Sequence, residues 1–175
     1  MSILPGHEGI SEDILLVCAL AQGAFVTGEN YTALPYLEHL VHGRASQSLI
    51  ERLLSIAIRT RFLDDRTELL KLKDRRQILI GRYTEGGVEK DSEVCIRLAL
   101  NKLVHHDKIS VTVEDFSCIV VAQIEPEPSD MKLIAAGRHK GKRVIVSVEG
   151  EYRGSKWLFA IDLYKLMDEM LRVLD

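Results

Sequence analysis

The apolar pattern of this chain changes period close to residue 107 and changes back only for the last dozen residues, and the first change limits the folds open to it. Before it, apolar residues recur at three- and four-residue spacing, the period of a helix face. After it they alternate, the period of a strand with one buried side. Leu49, Ile50, Leu53, Leu54, Ala57 and Ile58 carry the clearest helical stripe, and Ile109, Val111 and Val113 the clearest alternation. A run of helices followed by a run of strands predicts an α+β fold.

Local signals place the elements. Ser11, followed by Glu12 and Asp13, predicts an N-cap and a first helix reaching about Phe25. A second helix is expected from Thr32 to His42, with Pro35 in its first turn and Gly43 as its C-cap, and a third from Ser46 or Ser48. Gly81, Gly86 and Gly87 predict a mobile loop from Gly81 to Lys90, and a fourth helix is expected from Asp91 or Ser92 to about His105. Strands are then expected after His105 through Ile109, Val111 and Val113, and at Cys118 to Ile124, Lys132 to Ala136, Val144 to Glu149 and Trp157 to Ile161, as an antiparallel meander with Trp157 in the core. Asp162 should cap a last helix whose stripe is Leu163, Leu166, Met167, Met170, Leu171 and Leu174. The expected architecture is an N-terminal helical bundle, a small antiparallel β-meander and a C-terminal helix. Residues 1–107 form the helical body, and 108–175 the strands and last helix packed with it as one unit.

Composition narrows the function classes. A chain of 175 residues with 46% apolar and 28% charged residues suits a compact domain and argues against disorder. The net charge of −3 supplies no global field toward a polyanion, so any nucleic-acid contact needs a local patch. The longest apolar stretch, Ile14 to Val26, is broken by Gln22 and Gly23 and falls short of the ~20 residues that span a bilayer. Its acidic flank, Glu8, Glu12 and Asp13, is unlike a secretory leader. Cys18, Cys95 and Cys118 are odd in number and contain no Cys-x-x-Cys pair, so a reducing, cytoplasmic setting without membrane contact is expected. Neither a Gly-x-x-x-x-Gly-Lys loop nor a Gly-x-Ser-x-Gly elbow is present, and no cofactor is expected.

The fourth helix carries the one pointed cluster. Arg97, Asn101 and His105 recur at i, i+4 and i+8 along one side, opposite Ile96, Leu100, Leu103 and Val104. Such a stripe can simply be a solvated face, with His105 and His106 favoured by the negative pole of the helix dipole. It also suits phosphodiester chemistry: histidine moves protons near neutral pH and arginine holds phosphate through paired hydrogen bonds. Adjacent histidines on a helix point about 100° apart, so His105, His106, Asp107 and Cys95 do not suggest a metal site. Arg59, Arg61 and Arg66 with Asp64 and Asp65 read as salt bridging at a helix end. The run from Gly137 to Arg143 reads as a basic hairpin tip. Its Arg138, Lys140, Lys142 and Arg143, with Lys102, are candidate contacts to an RNA backbone.

Leu100-Asn101-Lys102-Leu103-Val104-His105 resembles the Arg-Asn-x-x-x-His motif of the HEPN superfamily, over a helical region of roughly residues 11–107. The resemblance implies a homodimeric, metal-independent endoribonuclease of a toxin-antitoxin or antiviral defence system. In it His105 or His106 would transfer the proton, Asn101 would position the phosphate or the histidine, and Arg97 would stand in as phosphate binder. Leu100 occupies the place of the family's arginine. The alternative is a non-catalytic dimeric module that keeps the scaffold and engages RNA or a protein partner.

Overall fold

The computed structural model describes residues 8–26, 35–70, 80–90, 94–122 and 135–174, with backbone alone for 8, 25–26, 35–42, 117–122 and 135–140. Among these residues the fold is α+β, with four α-helices and a five-stranded antiparallel sheet. Helix α1 (Glu8–Ala21) passes into a π-helical turn, Gln22–Val26, so the helical stretch ends where expected. It starts ahead of Ser11, which lies inside the helix and is not its cap. Acidic residues suit the first turns wherever the start falls, so they locate a helix end only loosely.

The second and third expected helices are one. Helix α2 (Pro35–Thr67) runs through Gly43, with Pro35 as its first residue. Gly43 is exposed and a Cβ built on it would meet nothing within 4 Å. A glycine inside a helix costs only about 1 kcal/mol relative to alanine, which burial of Leu49, Leu53, Ile56 and Ala57 along the same helix outweighs. Asp13 of α1 pairs with Arg52 at 2.9 Å and with Arg59, locking α1 along α2.

The expected mobile loop is a hairpin. Strands β1 (Gly81–Glu85) and β2 (Val88–Glu89) are joined by Gly86 and Gly87 at φ 58° and 80°, the two consecutive positive-φ residues that a type I′ turn requires. Helix α3 (Ile96–Val104) follows, capped by Cys95. The expected start at Asp91 or Ser92 lies outside the described residues. Strands β3 (Lys108–Ala122), β4 (Ala135–Tyr152) and β5 (Ser155–Asp162) form the meander, and α4 (Leu163–Leu174) closes the chain. The order across the sheet is β2-β1-β5-β4-β3, so the early hairpin adds to the free side of β5. Asp162 caps α4 as its position predicts, its Oδ1 accepting the Lys165 N–H at 3.3 Å.

Strand number is the second correction. As far as the residues are described, the pairs of strands expected on either side of residues 114–117 and 137–143 are each a single long strand, residues 123–124 and 132–134 of the expected strands lying outside the described residues, and Gly137 to Arg143 is a stretch of β4 in register with Glu114 to Val120, not a tip. Glycine read as a turn signal here has another cause. A Cβ on Gly141 would lie 2.8 Å from the ring of Phe116, its partner across the ladder, and a Cβ on Gly150 would overlap the indole of Trp157, its partner on β5. These glycines make room for an aromatic ring folded over the neighbouring strand. Gly150→Ala should therefore displace Trp157 and destabilise the protein by about 1–3 kcal/mol. Trp157 is the only tryptophan, so its emission should shift to the red in the folded variant. Unchanged emission and an unchanged melting temperature would show that the ring does not depend on the gap.

One face of the sheet, carrying Tyr83, Val144, Val146, Val148, Trp157, Phe159 and Ile161, shares one continuous apolar core with all four helices. The reverse face carries Arg82, Thr84, Glu149, Leu158 and Ala160, in register with one another.

Candidate functional site

Helix α3 is short, and both of its ends are tied down. Cys95 Sγ accepts the Leu98 N–H at 3.4 Å, and the His105 N–H donates to Asn101 O at 3.0 Å, closing the last turn. Past the cap, the Asp107 N–H donates to Glu149 O and Asp107 Oδ2 accepts the Glu151 N–H, which joins the end of α3 to the end of β4. Ile96, Ala99, Leu100 and Leu103 face the core, so Arg97, Asn101 and His105 lie on the outer side as their spacing predicts. Leu100 is 0% exposed.

The stripe divides between two environments. Arg97 turns toward the end of α2, where its Nε lies 3.4 Å from Asp64 Oδ2 and its Nη2 3.9 Å from Asp65 Oδ1. Arg61 reaches the same pair, at 3.6 and 3.4 Å. Asp64 is only 2% exposed, and its Oδ1 accepts the Leu70 N–H at 2.8 Å. The charged run at the end of α2 thus forms ion pairs within the protein, as its sequence suggests, and takes Arg97 into them.

Asn101 and His105 instead line a groove of about 490 Å³ between α3 and the turn joining β4 to β5, with Leu98, Lys102, Glu151, Tyr152 and Trp157. Its size falls within the range of small-ligand pockets. The Lys102 ammonium sits 4.1 Å from the Trp157 ring centroid and 5.0 Å from that of Tyr83. Burial pushes its pKa below the ordinary lysine range, opposed by the carboxylate of Glu85 and reinforced by Lys90. Tyr152 is 58% exposed at the rim. His106 stands apart: its Nδ1–H donates to Leu103 O at 2.7 Å, a bond that serves the helix end.

Of the basic run, Arg143 is engaged within the sheet. Arg143 donates to Glu114 Oε2 through Nε at 3.1 Å and Nη2 at 2.6 Å, while the side chains of Arg138 and Lys140 lie outside the described residues. Lys142 occupies the ladder position opposite Asp115. Among the described residues no group of three or more His, Cys, Asp or Glu side chains is placed to hold a metal ion. None of the described helices is long and apolar enough to cross a membrane.

The structure adds Tyr152, Trp157 and Glu151 to the site. They come from strands more than forty positions along the chain and share no spacing with the α3 stripe, so only the fold brings them to it. The sole local signal is Tyr152, an aromatic residue beside the Arg153-Gly154 turn, where a buried role is unexpected. Comparison of the chain with family models, with curated proteins and with solved structures finds no match.

Proposed function

We propose that this protein binds single-stranded RNA in the α3 groove and does not cut it. This is the non-catalytic branch of the HEPN-like reading. The observation that supports it is the division of the stripe: Asn101 and His105 share the groove with an exposed aromatic ring, while Arg97 is engaged by Asp64 and Asp65. A base stacks on Tyr152, the Asn101 amide pairs with its edge, and Lys102 and His105 meet the phosphate. Glu151, the one acidic side chain lining the groove, accepts from an exocyclic amine and disfavours bases that lack one. Cleavage would need an arginine at the phosphate, and Arg97 would have to leave a buried carboxylate to supply it.

The test is titration of single-stranded RNA oligonucleotides in EDTA, followed by Trp157 fluorescence and by gel analysis of the RNA. Tyr152→Ala and Asn101→Ala should each weaken binding, Tyr152→Ala by about 5- to 150-fold, the range that loss of one base–aromatic stack gives. The RNA should stay intact. Cutting under these conditions that disappears in His105→Ala would establish the catalytic branch, a HEPN-like toxin or defence ribonuclease. Absence of any saturable binding would refute both.

A further inference from the structure

We infer that β3 is the interface of a homodimer, pairing antiparallel with β3 of a second copy about a two-fold axis through Val111. In the sheet order β3 is an outer strand, and among the described residues its only strand neighbour is β4. It runs from Lys108 to Ala122 in unbroken register with β4, without a proline or a bulge. Edge strands in soluble proteins are ordinarily short, bulged or interrupted, because a long regular edge offers its unpaired backbone groups to another chain. The opposite edge of this sheet follows that rule, since β2 has just two residues, Val88 and Glu89.

The hydrogen-bond phase identifies which groups β3 offers. The Asp162 N–H donates to Ile80 O and the Gly86 N–H to Lys156 O, so even-numbered residues of β1 bond to β5. In an antiparallel ladder the bonding direction alternates residue by residue. Carried through the registers of β5 and β4, the alternation leaves the even-numbered residues of β3 bonded to β4 and aims the backbone of Ile109, Val111 and Val113 outward.

Side chains then select the register. A two-fold axis keeps each face of the sheet on the same side, so facing residues must have the same parity. An axis through Val111 sets Val111 against its own copy, Ile109 against Val113, and Lys108 against Glu114. Lys108 already pairs with Glu149 and Glu114 with Arg143 inside each sheet. The joined sheet therefore carries Glu149, Lys108, the partner's Glu114 and the partner's Arg143 as one row of alternating charge. Moving the axis to Thr112 sets Asp115 against Ile109, and moving it to Val113 sets Asp115 against Val111. Val113, 37% exposed in the single chain, gains an apolar neighbour in all three, but the first alone sets Glu114 against a base and keeps Asp115 off the apolar residues, placing it opposite the partner's Asp107. The interface is isologous and closes at two copies.

Sedimentation velocity of the full chain from about 1 to 100 µM, where an interface of one strand pair is expected to dissociate, should show a reversible monomer–dimer equilibrium. Val111→Pro removes an outward N–H and no bond to β4, and should leave a folded monomer across that range. Lys108→Glu or Glu114→Lys alone should raise the dissociation constant about tenfold, and the two together should recover most of that loss, because they face each other only in this register. Amide exchange at Ile109, Val111 and Val113 should slow as concentration rises. A chain that stays monomeric overturns the inference. So does a dimer untouched by Val111→Pro, or charge reversals whose effects add without rescue. If Val111→Pro does not fold, the charge-reversal set decides alone.

Discussion

Replacing Leu100 with arginine, which would complete the Arg-Asn-x-x-x-His motif on paper, is expected to unfold the protein and create no ribonuclease. Leu100 is fully buried between α3 and the core, beside Leu103, while the polar stripe lies on the opposite side of the helix. An arginine there loses the apolar burial of leucine and strands a guanidinium among aliphatic side chains. The next residue, Asn101, points about 100° away and cannot lead the new side chain to the groove. Loss of the apolar contact and burial of an unpaired charge together cost at least about 4 kcal/mol, against a total stability of about 5–15 kcal/mol for a domain of this kind. Circular dichroism during urea titration should show Leu100→Arg unfolded or close to its midpoint in buffer, with Arg97→Ala folded as control. A Leu100→Arg variant that melts like the parent and cuts RNA in EDTA would mean that Leu100 faces the groove and not the core.

Asp64→Ala is expected to be the most damaging change to a polar side chain. The carboxylate meets the Leu70 N–H just past the end of α2 and balances Arg61 and Arg97, so its removal leaves a buried donor unpaired and two guanidinium groups with only the exposed Asp65 between them. Breaking a fully buried pair costs about 3–5 kcal/mol, but Arg97 is half exposed and water compensates part of its loss, which brings the expectation to about 2–4 kcal/mol. At about 2–4 °C per kcal/mol for a chain of this size, the melting temperature should fall by roughly 4–16 °C. Asp64→Asn keeps an oxygen for Leu70 and should recover about half of the loss, which separates the helix-end bond from the ion pairs. An Asp64→Ala protein within 0.5 kcal/mol of the parent, on the order of a neutral surface change, would show that the cluster at the end of α2 contributes nothing.

These expectations indicate what local signals could convey. The buried stripe of α3, the Asp162 cap and the alternation after Lys108 were legible because each depends on residues within a turn or two of one another. Gly43, Gly86 and Gly141 were misread for a shared reason. Glycine at a helix end, in a hairpin turn and beneath an aromatic ring looks the same in one dimension. The cause differs: a positive φ at Gly86, and a ring from another strand at Gly141. The basic run was read as a tip because nothing local indicates that Phe116 lies over Gly141.

For the cluster on α3, the sequence by itself determined the helix, its outward stripe and the burial of Leu100, since a period of 3.6 residues fixes which side chains share a face. Only the tertiary structure decided that the stripe divides, with Arg97 drawn to Asp64 and Asp65 at the end of α2 while Asn101 and His105 join Tyr152 and Trp157 at a groove. A helix sets the direction of its side chains. What stands opposite them depends on which distant segments pack alongside, and that is settled by burial summed over the whole core.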